Sequence, residues 1–191
     1  MDSGQHAAQQ RPGFLSTLIK LVGVVALVIV LNVALRTFVL QPYEIPSGSM
    51  EQTIMTGDMV FSEKVSYYFR DVEPGDIITF NDPQSPGRVL IKRVIAVGGQ
   101  VVDINDSDGM VYVDGVPLDE PYTNGLPSYR LDNSVANVTY PYRVPDGELW
   151  VMGDNRTNSQ DSRFFGSIDE SSVTGRGALI YWPLNHFGLL E

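Results

Sequence analysis

The run Leu21 to Leu35, LVGVVALVIVLNVAL, limits this chain more than any other feature: fifteen residues with no charge and one Asn. As a helix rising 1.5 Å per residue it covers about 22 Å, short of the roughly 30 Å hydrocarbon core of a bilayer. Phe14 to Ile19 before it and Thr37 to Leu40 after it supply the missing length, and Lys20 and Arg36 can snorkel to opposite interfaces. The pattern predicts an uncleaved transmembrane anchor over residues 14–40, preceded by a tail at 1–13. A cleaved secretory signal with Arg11 and Lys20 as its basic region is the competing reading. No small-x-small cleavage site follows the apolar core, however, and apolar character runs on to Leu40. The positive-inside rule, with Arg11 and Lys20 set against Arg36, favours a cytoplasmic N-terminus and an extracytoplasmic body.

The charge distribution divides the chain at the same place. Residues 1–40 hold three basic side chains against Asp2, whereas residues 41–191 hold ten basic and 22 acidic ones, a net of −12. Phosphate neutralisation needs a basic face, which puts a body this acidic at a disadvantage as a nucleic-acid binder, and no nucleic-acid partner is expected. Cysteine is absent, which removes disulfide scaffolds, thiolate zinc sites and cysteine nucleophiles. The two histidines, His6 and His186, leave little material for a histidine-based site. Length allows one compact body of mainly β type, since Gly and Pro together exceed the usual share of roughly 12%.

Within the body, residues 41–191, seven segments are strand candidates: 59–64, 76–80, 88–97, a hairpin pairing 100–104 with 110–113, 148–152, and 177–182. Asp114-Gly115 marks a second tight turn directly after the hairpin. Residues 103–146, rich in Pro from 115 onwards, read as a small hairpin and loop excursion. No internal repeat or second long helix is evident.

Three segments carry chemistry. Tyr43-Glu-Ile-Pro-Ser-Gly-Ser-Met50 places Ser47 and Ser49 in a turn constrained by Pro46 and Gly48, where a nucleophile could be exposed. An ordinary solvated turn is the plain alternative. On a strand over Arg88 to Val97, Lys92 shares a face with Leu90 and Val94. Apolar neighbours penalise the ammonium form and so suit a lysine general base, although a strand-edge lysine reaching solvent has the same sequence. The chain has only three lysines, Lys20, Lys64 and Lys92. Gly153 to Arg163 packs Asp, Asn, Ser and Arg into one loop, as a positioning network or a purely structural one would. Arg156 and Arg163 interrupt any calcium-loop pattern. A Ser–His–Asp triad is disfavoured, because His6 lies across the predicted membrane and His186 falls in a tail. A Ser–Lys dyad needs neither.

Together these residues resemble the bacterial type I signal peptidases. Pro46-Ser-Gly-Ser-Met50 with Thr53, Gly57 and Asp58 resembles their serine box, Ile91-Lys-Arg-Val94 with Gly98-Gly99 their lysine box, and Gly153-Asp-Asn-Arg156 with Ser159 and Asp161-Ser-Arg163 their C-terminal box. The resemblance implies the mainly β fold of that family behind a single transmembrane helix, and a plasma-membrane serine endopeptidase that cuts signal peptides from exported preproteins. It implies Ser49 as nucleophile, Lys92 as general base, Ser47 with the Ser49 N–H as oxyanion hole, and Ser159 orienting the lysine. Arg93, Asp154, Arg156, Asp161 and Arg163 would form the supporting network. Ile45, Met50, Ile54, Leu90 and Ile91 would line shallow pockets for small residues at the first and third positions before the cut. No metal or cofactor is implied; the partners are secretory preproteins, met near the export translocon, and the lipid bilayer. The aromatic run Tyr67-Tyr68-Phe69 could dip into the membrane interface or simply be core. Gln52 departs from the Pro usual in the family. Two rivals remain open at the level of sequence: a self-cleaving Ser–Lys protease of the SOS-repressor type, and an anchored β-domain without enzymatic activity.

Overall fold

The computed structural model describes residues 13–131 and 138–190. The predicted tail at 1–13 therefore lies outside the described residues except for Gly13, as does part of the excursion. The chain divides after Phe38 into two units.

The first unit contains one helix, α1 (Phe14–Phe38), of 25 residues with no buried side chain. Its length of about 37 Å at 1.5 Å per residue exceeds a bilayer core, and it is apolar enough to cross one. The helix stops at Phe38 rather than continuing to residue 40, because Leu40 already pairs with Glu63 in a sheet.

The second unit is mainly β. Its larger sheet contains β1 (Leu40–Glu44), β2 (Met59–Glu63), β3 (Ile77–Asn81), β4 (Val89–Val97), β9 (Glu148–Met152), β10 (Ile168–Asp169), β11 (Val173–Trp182) and β12 (Gly188–Leu189). The order is β1-β2-β11-β3-β4-β9-β10, with β12 added to β11. A smaller sheet, ordered β7-β6-β5-β8, comprises β5 (Val101–Asn105), β6 (Met110–Val113), β7 (Val116–Pro117) and β8 (Tyr142–Arg143). It occupies the predicted excursion.

All seven sequence-predicted strand segments are present; β11 begins four residues earlier than expected, at Val173. β1 was not anticipated, because Pro42 cannot donate a ladder hydrogen bond. It is tolerated here because β1 is an edge strand, where that donor is not required. Asp114 and Gly115 both take positive φ, 51° and 79°, which gives the tight β6–β7 turn the handedness that a two-residue hairpin needs.

The core has three apolar clusters. Val102, Ile104, Val111 and Val113 alternate inward from the small sheet onto Trp150, Met152 and Ile95. Ile78, Phe80, Val94, Leu149 and Val151 form the second. Ile45, Met50, Ile54, Val60, Ile77, Ile91, Ile180 and Leu190 form the third, and this one holds the segment that carries Ser49.

Candidate active site

Ser49 sits in a single turn of 3-10 helix, Gly48–Met50, entered from Ser47 in extended conformation. Met50 and Ile54 are fully buried and pull the turn down onto the third apolar cluster. The amide of Ile54 donates to the Met50 carbonyl at 2.8 Å, and Ile45 donates to the Asp58 carbonyl at 2.9 Å, closing the loop behind the serine. Ser49 is itself 9% exposed.

Lys92 reaches the same point from the middle of β4, opposite Ile78 on β3. Its Nζ lies 2.7 Å from Ser49 Oγ and 2.8 Å from the Ile91 carbonyl oxygen. The side chain has only 2% exposure, and burial pushes the ammonium pKa down from 10.5 to about 8. Asp161 and Asp154 pull against that change and Arg88 adds to it, but desolvation dominates. A lysine with such a pKa is substantially neutral at mildly alkaline pH, as a proton acceptor must be.

The loop after β9 supplies the surroundings. Arg93, next to the lysine on β4, forms a two-pronged pair with Asp154, Nε to Oδ1 at 2.9 Å and Nη2 to Oδ2 at 2.8 Å, with both residues buried. Asp161 accepts two hydrogen bonds from the Arg163 side chain, each 2.9 Å, and one from the Gly153 amide at 3.1 Å. Burial alone would raise the Asp161 carboxyl, but the adjacent Arg163 guanidinium holds it below the usual carboxylate range. Arg156 donates to the Gly153 carbonyl and to Ser128. Two further Arg156 bonds bind Glu120. Ser159 Oγ is buried close to Asp161 without a well-aligned hydrogen bond to any described residue. It presses on Gly153 together with the Ser49 carbonyl, so that any Cβ at 153 would collide with both. Only glycine fits there.

Ser47, Ser49 and Lys92 line one cavity, Arg156, Ser159 and Arg163 line a second that shares Asn158 and Gln160 with it, and Arg93, Asp154 and Asp161 are buried beside them. A cavity of about 230 Å³ is lined by Ser47, Gly48, Ser49, Lys92, Arg88, Leu90, Asn158 and Gln160. Across Leu90 a second, smaller cavity of about 40 Å³ is lined by residues that include Ile45, Leu90 and Ile91. Met50 and Ile54 line neither; they are fully buried and pack behind Ile45 and Ile91.

Several residues in this assembly were not singled out from sequence. Asn155 donates through its backbone amide to the Ser49 carbonyl at 3.1 Å and through its side chain to the Gly48 carbonyl at 3.0 Å. Tyr122 lies under the Arg93 guanidinium, 4.0 Å from ring centroid to charge, and Glu120 and Ser128 bind Arg156. Asn155 had a signal, its place between Asp154 and Arg156. The other three sit some 30 residues away in the proline-rich stretch, where no periodicity or spacing marks them.

Comparison with known proteins agrees with this arrangement. The family described as signal peptidase, peptidase S26, matches residues 17–182. A probable signal peptidase I-1 of Synechocystis is 41% identical over 169 residues, spanning 85% of this chain and 81% of the relative. A signal peptidase I of Leptolyngbya laminosa is 36% identical, spanning 97% of this chain and 90% of its own length. One from Mycobacterium tuberculosis is 33% identical over 96% of this chain and 79% of its own. With a match across most of its length, and with the serine, lysine and C-terminal segments converging on one cleft, the chain belongs to the signal peptidase family, peptidase S26.

Proposed function

We propose that this chain is a membrane-anchored endopeptidase that removes signal peptides from exported preproteins through a Ser49–Lys92 dyad. The observation that carries the reading is the 2.7 Å approach of a buried lysine nitrogen to a serine oxygen. Neutral Lys92 takes the Ser49 hydroxyl proton as Oγ attacks the scissile carbonyl. The tetrahedral oxyanion is received by the Ser49 N–H and the Ser47 hydroxyl. The former lies in the first turn of the 3-10 segment Gly48–Met50, whose first amides have no acceptor within the turn. The latter lines the cleft and makes no capping bond. Collapse breaks the C–N bond, Lys92 returns the proton to the leaving amine, and an acyl-enzyme remains. Lys92 then activates water to release the signal peptide. Arg93, Asp154, Arg156, Asp161 and Arg163 fix that wall of the site, on which Ser159 lies buried without a hydrogen bond to the lysine amine.

Substrate selection follows from the cavities. β4 pairs with β9 only from Arg93 onward, so residues 89–92 keep one open edge beside the nucleophile. β1 is also an edge. An extended peptide can pair with these backbones and turn alternate side chains inward. A pocket of about 40 Å³ accepts a small side chain and excludes an aromatic one, which supports preproteins with small residues one and three positions before the cut. α1 supplies the single-pass anchor, with its N-terminus cytoplasmic and the catalytic unit on the outer face of the plasma membrane near the export translocon.

The test is cleavage of a preprotein with an Ala-x-Ala site in detergent. Wild type releases the mature protein, while folded Ser49→Ala and Lys92→Met variants do not. The rate falls as pH drops through about 8, because Lys92 then carries a proton and cannot accept another. Full activity in either variant, or a rate flat from pH 9 to pH 5, overturns the dyad. An anchored binding domain would then take its place.

A further inference from the structure

The family match stops at residue 182, and the chain continues as a strap that returns to the back of the serine loop. After β11 the backbone makes a turn at Leu184–His186 and runs back as β12 along β11, pairing Leu189 with Leu179. Leu190 then donates its amide to the Ala178 carbonyl at 3.0 Å. Its side chain is 5% exposed and joins the cluster of Ile45, Met50 and Ile54 that supports Ser49. Gly177, whose missing side chain leaves the space, lies against it. Neighbouring strap residues face outward: Leu184, Phe187 and Leu189 are 62–76% exposed. Leu190 alone is buried, while His186, its side chain 39% exposed, reaches Asp58 from the surface.

His186 Nδ1 lies 2.9 Å from Asp58 Oδ1. Asp58 is 1% exposed, its other carboxylate oxygen accepts from the Met55 amide at 2.8 Å, and its backbone carbonyl accepts from Ile45. Both ends of the loop that carries Ser49 therefore meet at Asp58. Among the described residues, His186 is the one basic-type side chain within ion-pair distance of it. A carboxylate accepts only, so Nδ1 must carry a proton, and the neutral ring provides one in that tautomer as well as the charged ring.

We propose that the strap 183–190 is a positioning element for the nucleophile, with His186 and Leu190 holding the Ser49 loop at hydrogen-bonding distance from Lys92. This rests on the dyad reading above. Neither residue touches substrate; both act through Asp58 and the apolar floor. Loss of the His186 contact frees the Met55–Asp58 turn and lets Ser49 drift, and displacements near 1 Å at a reacting atom cost on the order of a hundredfold. A drifting serine also admits water to Lys92, which relaxes its desolvation.

The experiment compares the full-length wild type, His186→Ala, His186→Asn, Phe187→Ser and Lys92→Met in detergent, reading kcat and KM for the Ala-x-Ala preprotein from pH 6 to 10. His186→Ala lowers kcat about tenfold or more with KM little changed, and its acidic limb moves to higher pH. The charged groups acting on Lys92, namely Asp161, Asp154, Asp82 and Arg88, are untouched by the substitution, so a moved limb reports the site's geometry. His186→Asn, which keeps a side-chain N–H donor, restores kcat and the limb. Phe187→Ser, on the exposed face of the same strap, matches wild type. Wild-type kcat in His186→Ala overturns the proposal, and so does a loss accompanied by an unmoved limb or not rescued by Asn. If Lys92→Met retains cleavage, the dyad reading falls and this one with it; if Lys92→Met is inactive and His186→Ala is normal, only the strap proposal fails.

Discussion

The two walls of the cleft are built in different ways. The serine loop, residues 45–58, is held from behind by Ile45, Met50 and Ile54 in an apolar cluster. The opposite loop, residues 153–163, is held by buried charge pairs: Asp154 with Arg93, Asp161 with Arg163, and Arg156 with Glu120. Among the described residues the walls are joined by bonds from Thr53 to Asp154 and from Asn155 to the Gly48 and Ser49 carbonyls and to Glu51. Apolar packing is non-directional and forgives small changes of shape, whereas a buried ion pair fails once either charge is removed. The nucleophile's wall is set mainly by volume, with the Asp58–His186 contact at one end of the loop, and the wall opposite by charge.

Two substitutions that nearly preserve size separate these cases. Asp154→Asn keeps the shape but removes the carboxylate that Arg93 pairs with at 3% exposure, and breaking a buried pair this way costs about 3–5 kcal/mol. Ile54→Val removes one methylene from a fully buried site and costs about 0.5–1.5 kcal/mol. Chemical denaturation of both variants beside wild type measures the difference. If Asp154→Asn costs no more than Ile54→Val, the two walls are not held differently and the comparison collapses.

Lys92 lies where the walls meet, and the fold is strained by it. The displacement of its pKa from 10.5 to about 8 corresponds to about 3 kcal/mol between charged and neutral forms. The sign follows from the depressed folded value. Below pH 8 the lysine is protonated in both folded and unfolded chains and the folded one bears the full penalty. Between pH 8 and 10.5 the unfolded chain binds the extra proton, so stability rises with pH. Lys92→Met therefore abolishes cleavage while raising stability at pH 7 by about 2–3 kcal/mol, with the gain fading above pH 10. Thermal unfolding of the variant at pH 7 and pH 10.5 reads it. Equal stability of variant and wild type at pH 7 would mean that water reaches the ammonium in the folded enzyme.

What the sequence made legible follows the same division. Strands such as Val101–Asn105 and Met110–Val113 were readable because alternation, a local pattern, matches one buried face. Lys92 was readable because its apolar neighbours on β4 are two residues away. β1 escaped, since Leu40-Gln-Pro-Tyr-Glu44 has neither alternation nor a β-rich composition and is a strand only because β2 templates it. The Arg156–Glu120 and Arg93–Tyr122 contacts escaped for a different reason: each joins residues about 30 positions apart through a loop with no regular period. The exposed tail position read for His186 agrees with its 39% side-chain exposure, but its contact with Asp58, 128 positions away, was not legible. Pairwise tertiary contacts of this kind leave no trace in one sequence.

The smallest expected effect concerns Gln52, where this chain lacks the proline that the resemblance leads one to expect. Its φ is +89°, in the left-handed half of the map that L side chains rarely adopt. Holding a side chain there costs about 1–2 kcal/mol, part of which glycine would recover against its own larger loss of chain entropy. Gln52→Gly therefore stabilises the fold by about 0.5–1 kcal/mol, or about 1–4 °C in Tm for a unit of this size. Gln52→Pro does the opposite, because its ring fixes φ near −65° and cannot follow the backbone from Glu51 to Thr53. The packing of Met50 and Ile54, on either side of this residue, keeps the turn in place despite the strain. Thermal unfolding of the two variants in one detergent decides the matter: a proline variant as stable as wild type would show that apolar burial does not dictate the path of this loop, and the contrast between the two walls would lose its clearest support.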